Sequence, residues 1–80
     1  MRARVRITLK DGILDPQGKA IAQALGRLGF EGVEAVRQGK YIEIELAETN
    51  HVKARAQVED MCAQLLANTV MEEYSVEVDG

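Results

Sequence analysis

The sequence predicts an α+β fold of order β-α-β-β-α-β, and three observations predict it. Short runs alternate apolar with polar residues, as strands with one buried face do. Two longer runs repeat apolar residues at helical spacing. Capping and turn residues stand between them, above all Leu14-Asp15-Pro16-Gln17-Gly18.

Ala3, Val5, Ile7 and Leu9 alternate with Arg4, Arg6 and Thr8, which makes the first strand. Asp15 can accept hydrogen bonds from the free amides of a first helical turn, and Pro16 gives up no bond at the first helical position. The helix then runs from about Pro16 to Leu28 on Ile21, Ala24, Leu25 and Leu28, with Arg27 suited to the negative end of its dipole. Gly29 is expected to stop it in a left-handed cap, with Phe30 folding back onto the last turn. Gly26 costs a helix interior about 1 kcal/mol relative to alanine, so it is expected to admit another backbone closely.

A second strand is expected at Val33–Arg37, with Gly32 as a loop hinge before it. Gln38-Gly39 should turn the chain into a third strand, Lys40–Leu46, where Ile42, Ile44 and Leu46 alternate with Tyr41, Glu43 and Glu45. In this hairpin Gly39 is the residue able to take positive φ. Ala47-Glu48-Thr49-Asn50 supplies a polar link and a cap, and Val58, Met61, Cys62, Leu65 and Leu66 draw the stripe of a second helix. That helix should end near Ala67, with Asn68 as a left-handed cap. Tyr74, Val76 and Val78 alternate with Ser75 and Glu77 in a last strand, and Asp79-Gly80 is expected to fray.

This order favours a two-layer sandwich, both helices on one face of an antiparallel sheet, as in ferredoxin-like or related folds. The first strand would then lie between the third and fourth, so that Arg4 and Arg6 face Glu43, Glu45 and Glu77. Each such exposed pair is worth only about 0.2–1 kcal/mol, enough to set register more than stability. The helix-free sheet face, strand exchange or edge pairing could each join protomers.

The chain has 80 residues, read as one domain over 1–80. So small a core is usually reinforced by a disulfide, a metal or a partner. Cys62 is the only cysteine and His51 the only histidine, which leaves neither an internal disulfide nor a four-ligand zinc site. Association remains, and a homo-oligomer or an obligate subunit is expected. The free thiol, the lack of a long apolar run and an N-terminus leading directly into a strand point to a cytoplasmic protein without a membrane segment or signal. Residues 1–40 hold eight Lys/Arg against four Asp/Glu, and residues 41–80 two against nine. The halves would interleave in the fold, so this asymmetry reads as internal complementarity, not as a nucleic-acid surface.

Side chains able to do chemistry are few. His51, at the start of the second helix, has no partner at ligand spacing, and Cys62 lies in the apolar stripe, where a thiol behaves as a small hydrophobe. Glu43/Glu45 and Glu59/Asp60 read as solvated charge, not as carboxylates flanking a scissile bond. No phosphate-binding glycine motif is present, and Tyr41, Tyr74 and Phe30 are too few aromatics for an RNA-recognition sheet. Lys10 and Gln17 near the first loop are the only candidates for an anion cradle of a hydrolase.

Val5-Arg6-Ile7-Thr8-Leu9-Lys10, Leu14-Asp15-Pro16-Gln17-Gly18, Ala24-Leu25 with Leu28-Gly29-Phe30, Val36-Arg37-Gln38-Gly39-Lys40 and Cys62-Ala63-Gln64-Leu65-Leu66-Ala67-Asn68 together resemble one family over nearly the whole chain. It is the small PurS-type subunit family of phosphoribosylformylglycinamidine synthase. The chain departs from it at Thr69, where the family often has proline. The resemblance implies a dimer or dimer of dimers, without an active site of its own, that holds a glutaminase subunit and a large synthetase subunit together in purine synthesis. It further implies possible help with ammonia transfer, and that ATP and Mg are used by the large subunit with no cofactor bound here. Partner contact is expected at Asp15, Gln17 and Gly18 where the first helix begins, and at Arg37, Gly39 and Lys40 in the hairpin. The alternative is a regulatory domain of the same scaffold that binds a small molecule between protomers.

Overall fold

A computed structural model of the chain describes residues 1–79. In order, it holds β1 (Arg2–Leu9), α1 (Pro16–Arg27), β2 (Gly39–Glu45), α2 (His51–Met61), a single π-helical turn (Cys62–Leu66) that continues α2, and β3 (Glu72–Asp79). The three strands form one antiparallel sheet in the order β2-β1-β3. The α+β class and the central place of β1 are as the sequence predicts.

The alternation in β1 sorts its side chains onto two faces of different chemistry. Ala3, Val5 and Ile7 are fully buried on the face that carries α2, as are Ala54, Val58 and Cys62 from the helix. Val76 of β3 joins this core, and Ile42, Ile44, Tyr74 and Val78 pack around it. On the opposite face Arg2, Arg4 and Arg6 meet the acidic residues of both neighbours. Arg4 pairs across the sheet with Glu43 and Glu77, and Arg2 with Glu45 and Asp79. Arg2 Nε donates to Glu45 Oε1 at 2.7 Å, Arg4 Nη1 lies 2.9 Å from Asp79 Oδ2, and Arg6 Nη1 donates to Glu77 Oε1 at 2.7 Å. The Arg6 guanidinium also stands over the Tyr41 ring, 5.4 Å from its centroid. Arg6, and then Arg4, hold the Glu77 carboxyl below the usual carboxylate range. The charge asymmetry of the two halves of the sequence is thus spent within one sheet face.

Several expected boundaries move. Residues 33–37 form no strand within the chain, and no turn stands at Gln38-Gly39. Gly39 begins β2 without positive φ; it is glycine because a Cβ would run into the Ile7 carbonyl oxygen of the neighbouring strand. The predicted hairpin is open, since with the reversal absent residues 33–37 never return along the outer edge of β2. Positive φ falls instead at Gly12, Gly29 and Gly32. Gly29 closes α1 as predicted, with its amide on Gly26 O and that of Phe30 on Leu25 O. Asn68 is not left-handed: the π-turn ends when Ala67 becomes extended and its amide reaches back to Cys62 O at 3.0 Å. That wider turn admits an extra residue, which leaves Leu66 half-buried and swings Met61 and Leu65 outward, so only part of the predicted stripe faces the core. Asp79 is an integral strand residue opposite Arg2, while Gly80 lies outside the described residues.

α1 does not lie on the sheet. The extensive contacts are between β1 and its two neighbours and between α2 and β3, the π-turn and β1. Leu28 is 73% exposed, Phe30 60% and Ile21 39%, and nothing lies within 4 Å of a Cβ built on Gly26, so the close approach expected there is absent within the protomer. The radius of gyration, 15.9 Å, exceeds the about 12 Å expected of a compact chain of this length. The longest extent is 48 Å. An eight-residue strand of about 27 Å and a twelve-residue helix of about 18 Å reach that length only when set end to end.

The stability of this unit therefore resides in the sheet and α2. Replacing Ile7 with alanine should cost about 2–5 kcal/mol in urea unfolding, whereas Val52→Ala, on the exposed side of α2, should stay within about 0.5 kcal/mol.

Candidate functional site

Where the arm formed by α1 and residues 28–38 joins the sheet, the chain passes twice, and Asp15 ties both passages together. Its Oδ1 accepts from the Gly18 amide at 2.9 Å, which caps α1. Its Oδ2 accepts from the Gln38 amide at 2.9 Å, just before β2 begins. Gly18 is buried beneath the Val36 carbonyl, where a Cβ would have no room. Arg37 closes the outside of the joint: its guanidinium donates to Leu9 O and lies 3.6 Å from Asp11 and 3.9 Å from Glu73.

Beside this joint an open groove of about 260 Å³ runs along the rim of the sheet. Asp15, Gln17, Gly39 and Lys40 line it together with Gln38 and Glu72. Lys40 Nζ stands 3.7 Å from Glu72 Oε2, and the Glu72 side chain is only 15% exposed. Of the six residues singled out from sequence, four thus share one groove. Gly18 lies behind Asp15, and Arg37 faces the outer side of the joint. Gln38 and Glu72 were missed, the first because its backbone amide and not its side chain does the binding, the second because nothing local marks which strand end will meet Lys40. Lys10 does not line the groove, so no Lys10–Gln17 cradle is assembled there; its amide binds Met71 O.

The groove offers recognition more than reaction. It presents amide and carboxylate acceptors, a lysine already paired, and no group activated as a nucleophile. Cys62 is fully buried elsewhere, and burial, followed by the charge of Glu59, pushes its thiol up and away from the reactive thiolate. His51 is exposed at the first turn of α2. Among the described residues no three His, Cys, Asp or Glu side chains come together as a metal site, and no helix is long and apolar enough to cross a membrane.

The two amide bonds, that from Gln38 first, hold the Asp15 carboxyl below its ordinary value of 3.8. A depressed carboxyl contributes stability that is present above that ordinary value and is lost as pH falls through the lower folded one. Asp15→Asn should therefore be less stable than the parent at neutral pH, with the difference closing below about pH 4, as read from thermal unfolding at a series of pH values.

Comparison with known proteins bears on this geometry directly. Residues 2–80 match the family model described as PurS, phosphoribosylformylglycinamidine (FGAM) synthase. The PurS subunit of Synechocystis is 47% identical over 75 residues, 94% of this chain and 75% of that protein. The crystal structure of Methanocaldococcus jannaschii PurS, described as one of the subunits of formylglycinamide ribonucleotide amidotransferase in purine biosynthesis, superposes with a TM-score of 0.89 at 44% identity, covering 98% of this chain and 94% of that one. A chain in the structure of PurLQS from Thermotoga maritima superposes with a TM-score of 0.87 at 32% identity, over 95% and 93% of the two chains. Matched over residues 2–80 by the family model and over nearly its whole length by these relatives, this chain belongs to the PurS family of phosphoribosylformylglycinamidine synthase subunits.

Proposed function

We propose that the chain is the non-catalytic assembly subunit of this synthase, a homo-oligomer, dimer or dimer of dimers, that bridges the glutaminase and the ATP-dependent synthetase subunits in the cytoplasm. The observation that carries the reading is an apolar arm left without a partner on a chain whose only thiol is sealed in the core. Glutamine hydrolysis needs an activated cysteine with a base, and ATP chemistry needs a phosphate and Mg²⁺ site. Both belong on the partner subunits, and ATP and Mg with them. This chain supplies shape: an arm that seeks an apolar surface, and a polar groove at its root.

Asp15, Gln17, Gly18, Arg37, Gly39 and Lys40 are the proposed contact region for the partner subunits. Within it Asp15, Gly18 and Gly39 also build the joint, so changes there act on folding and recognition together. Lys40 and Gln17 separate the two. Lys40 is 62% exposed at its side chain, and its loss removes one surface pair worth at most about 1 kcal/mol. Bridging by such a subunit also brings the site that releases ammonia near the site that consumes it.

Mixing the purified chain with the glutaminase and synthetase subunits, with glutamine and nucleotide present, should give one higher-mass complex, and amidine formation from glutamine only when all three are present. Turnover of glutamine or ATP by the chain alone would overturn the reading. Lys40→Gln, which keeps a hydrogen-bond donor beside Glu72, should change thermal unfolding by at most the value of that one pair and weaken assembly by roughly tenfold, equivalent to about 1.4 kcal/mol. Undiminished assembly would remove Lys40 from the contact region.

A further inference from the structure

Resting on the assembly reading, we infer that the outer edge of β3 takes an extended segment of a partner subunit as a further strand, one that alternates basic with apolar residues and sets a Lys or Arg opposite Ser75. A chain that joins two unlike proteins needs two unlike surfaces. The groove at the arm's root supplies one, and the backbone directions in the sheet point to the other. Met1 exchanges amide and carbonyl with Leu46, and Lys10 gives its amide to Met71 O, so odd-numbered residues of β1 bond toward β2 and even-numbered ones toward β3. Arg4 and Arg6 stand opposite Glu77 and Ser75 in an unbroken register, so Glu73, Ser75 and Glu77 turn their backbone groups inward. Tyr74, Val76 and Val78 therefore turn theirs outward, where among the described residues no strand receives them. β3 has neither a proline nor a bulge to close this edge.

The side chains select the occupant. β3 carries Glu72, Glu73, Glu77 and Asp79 and no Lys or Arg, so a second β3 laid against it would set like charge on like. The acids thus exclude self-pairing at this edge and favour a cationic strand. Arg4 and Arg6 reach Glu77 and Asp79, whereas Glu73 is left to Arg37 at 3.9 Å, with its side chain 57% exposed. Beside Glu73 lies an open recess of about 330 Å³, lined also by Arg6, Thr8, Tyr74 and Ser75. Because the Ser75 backbone bonds inward, a residue opposite it on the outside stands in a pair without hydrogen bonds, the kind in which side chains come closest. Ser75 is small and leaves that space free, and a Lys or Arg set there meets the Glu73 carboxylate on the diagonal. On the other face Tyr74 and Val78 are half-buried against the core, and apolar residues of the added strand complete their cover.

The test is amide hydrogen exchange, followed residue by residue in the full-length chain, free and in the complex with the glutaminase and synthetase subunits. In the complex the outward amides of Tyr74, Val76 and Val78 should slow by roughly tenfold or more, while those of Glu73, Ser75 and Glu77, already bonded to β1, change little. The free chain should show the same pattern with a blocked peptide of alternating lysine and valine, as long as β3, and not with one of alternating glutamate and valine. Glu73→Gln, a change at an exposed side chain, should weaken binding of the lysine peptide by roughly threefold. Equal protection by both peptides, or outward amides already protected in the free chain, would overturn the inference. A complex in which Tyr74, Val76 and Val78 exchange as they do in the free chain overturns it too and leaves the assembly role intact. Protection by the lysine peptide without any complex with the glutaminase and synthetase would fail that role alone.

Discussion

One carboxylate organises the molecule. Asp15 uses both oxygens on backbone amides, one 3 and the other 23 residues further along the chain, capping α1 through Gly18 and holding the start of β2 through Gln38. Each bond alone is ordinary. Together they make the two passages of the chain into one joint, so that α1 and the returning segment project as a single arm. The glycine at position 18 lets the Val36 carbonyl close over the helix start, and Arg37 fastens the outer side to the end of β1. From this joint follow the elongated shape, the open hairpin and the unpartnered face of α1.

The sheet can tolerate losing one of its helices because its two faces solve different problems. On one side α2 supplies Ala54, Val58 and Cys62 against Ala3, Val5 and Ile7, a small core but a dry one. On the other, arginines of the central strand are flanked by acids on both edges, so the open face is water-compatible and self-neutralising. Such exposed pairs add little stability, yet a register slip of one residue would turn every arginine into the core. A chain of this size rarely stands on one core alone. The apolar stripe of α1 and the half-buried residues of β2 are the reserve that association can still draw upon.

Much of this was legible in the sequence, for identifiable reasons. The strict alternation from Ala3 to Leu9 fixes β1 as a two-faced strand, and the acids at 43, 45 and 77 fix it as the central one, since only a strand with neighbours on both sides can meet them all. Asp15-Pro16 gives the start of α1, and Gly29 its end, because each residue type satisfies a local backbone need. The open hairpin was not legible. Gln38-Gly39 fits a tight turn, but Gly39 answers to a carbonyl of a strand more than thirty positions earlier in the chain, which no local pattern reveals. The π-turn was hidden too, because Met61, Cys62, Leu65 and Leu66 form a stripe two residues wide that either helical register could use.

The same limit explains why periodicity described the arm correctly and placed it wrongly. Alternation and helical spacing state which face of an element must be covered; they carry no information about which molecule covers it. In α1 the stripe of Ile21, Leu25 and Leu28 asks for an apolar surface without specifying the chain that supplies it. The choice falls to the joint, where Asp15 holds Gln38 against the foot of the helix and removes the reversal a closed protomer needs. On the proposed reading this has a functional corollary. The apolar stripe of α1 is open to association, while the polar groove at the arm's root, with Lys40 and Gln17 on its wall, stays at the rim of the sheet. Association with itself and recognition of other subunits then draw on different surfaces of different chemistry, and a chain without a reactive group can do both at once.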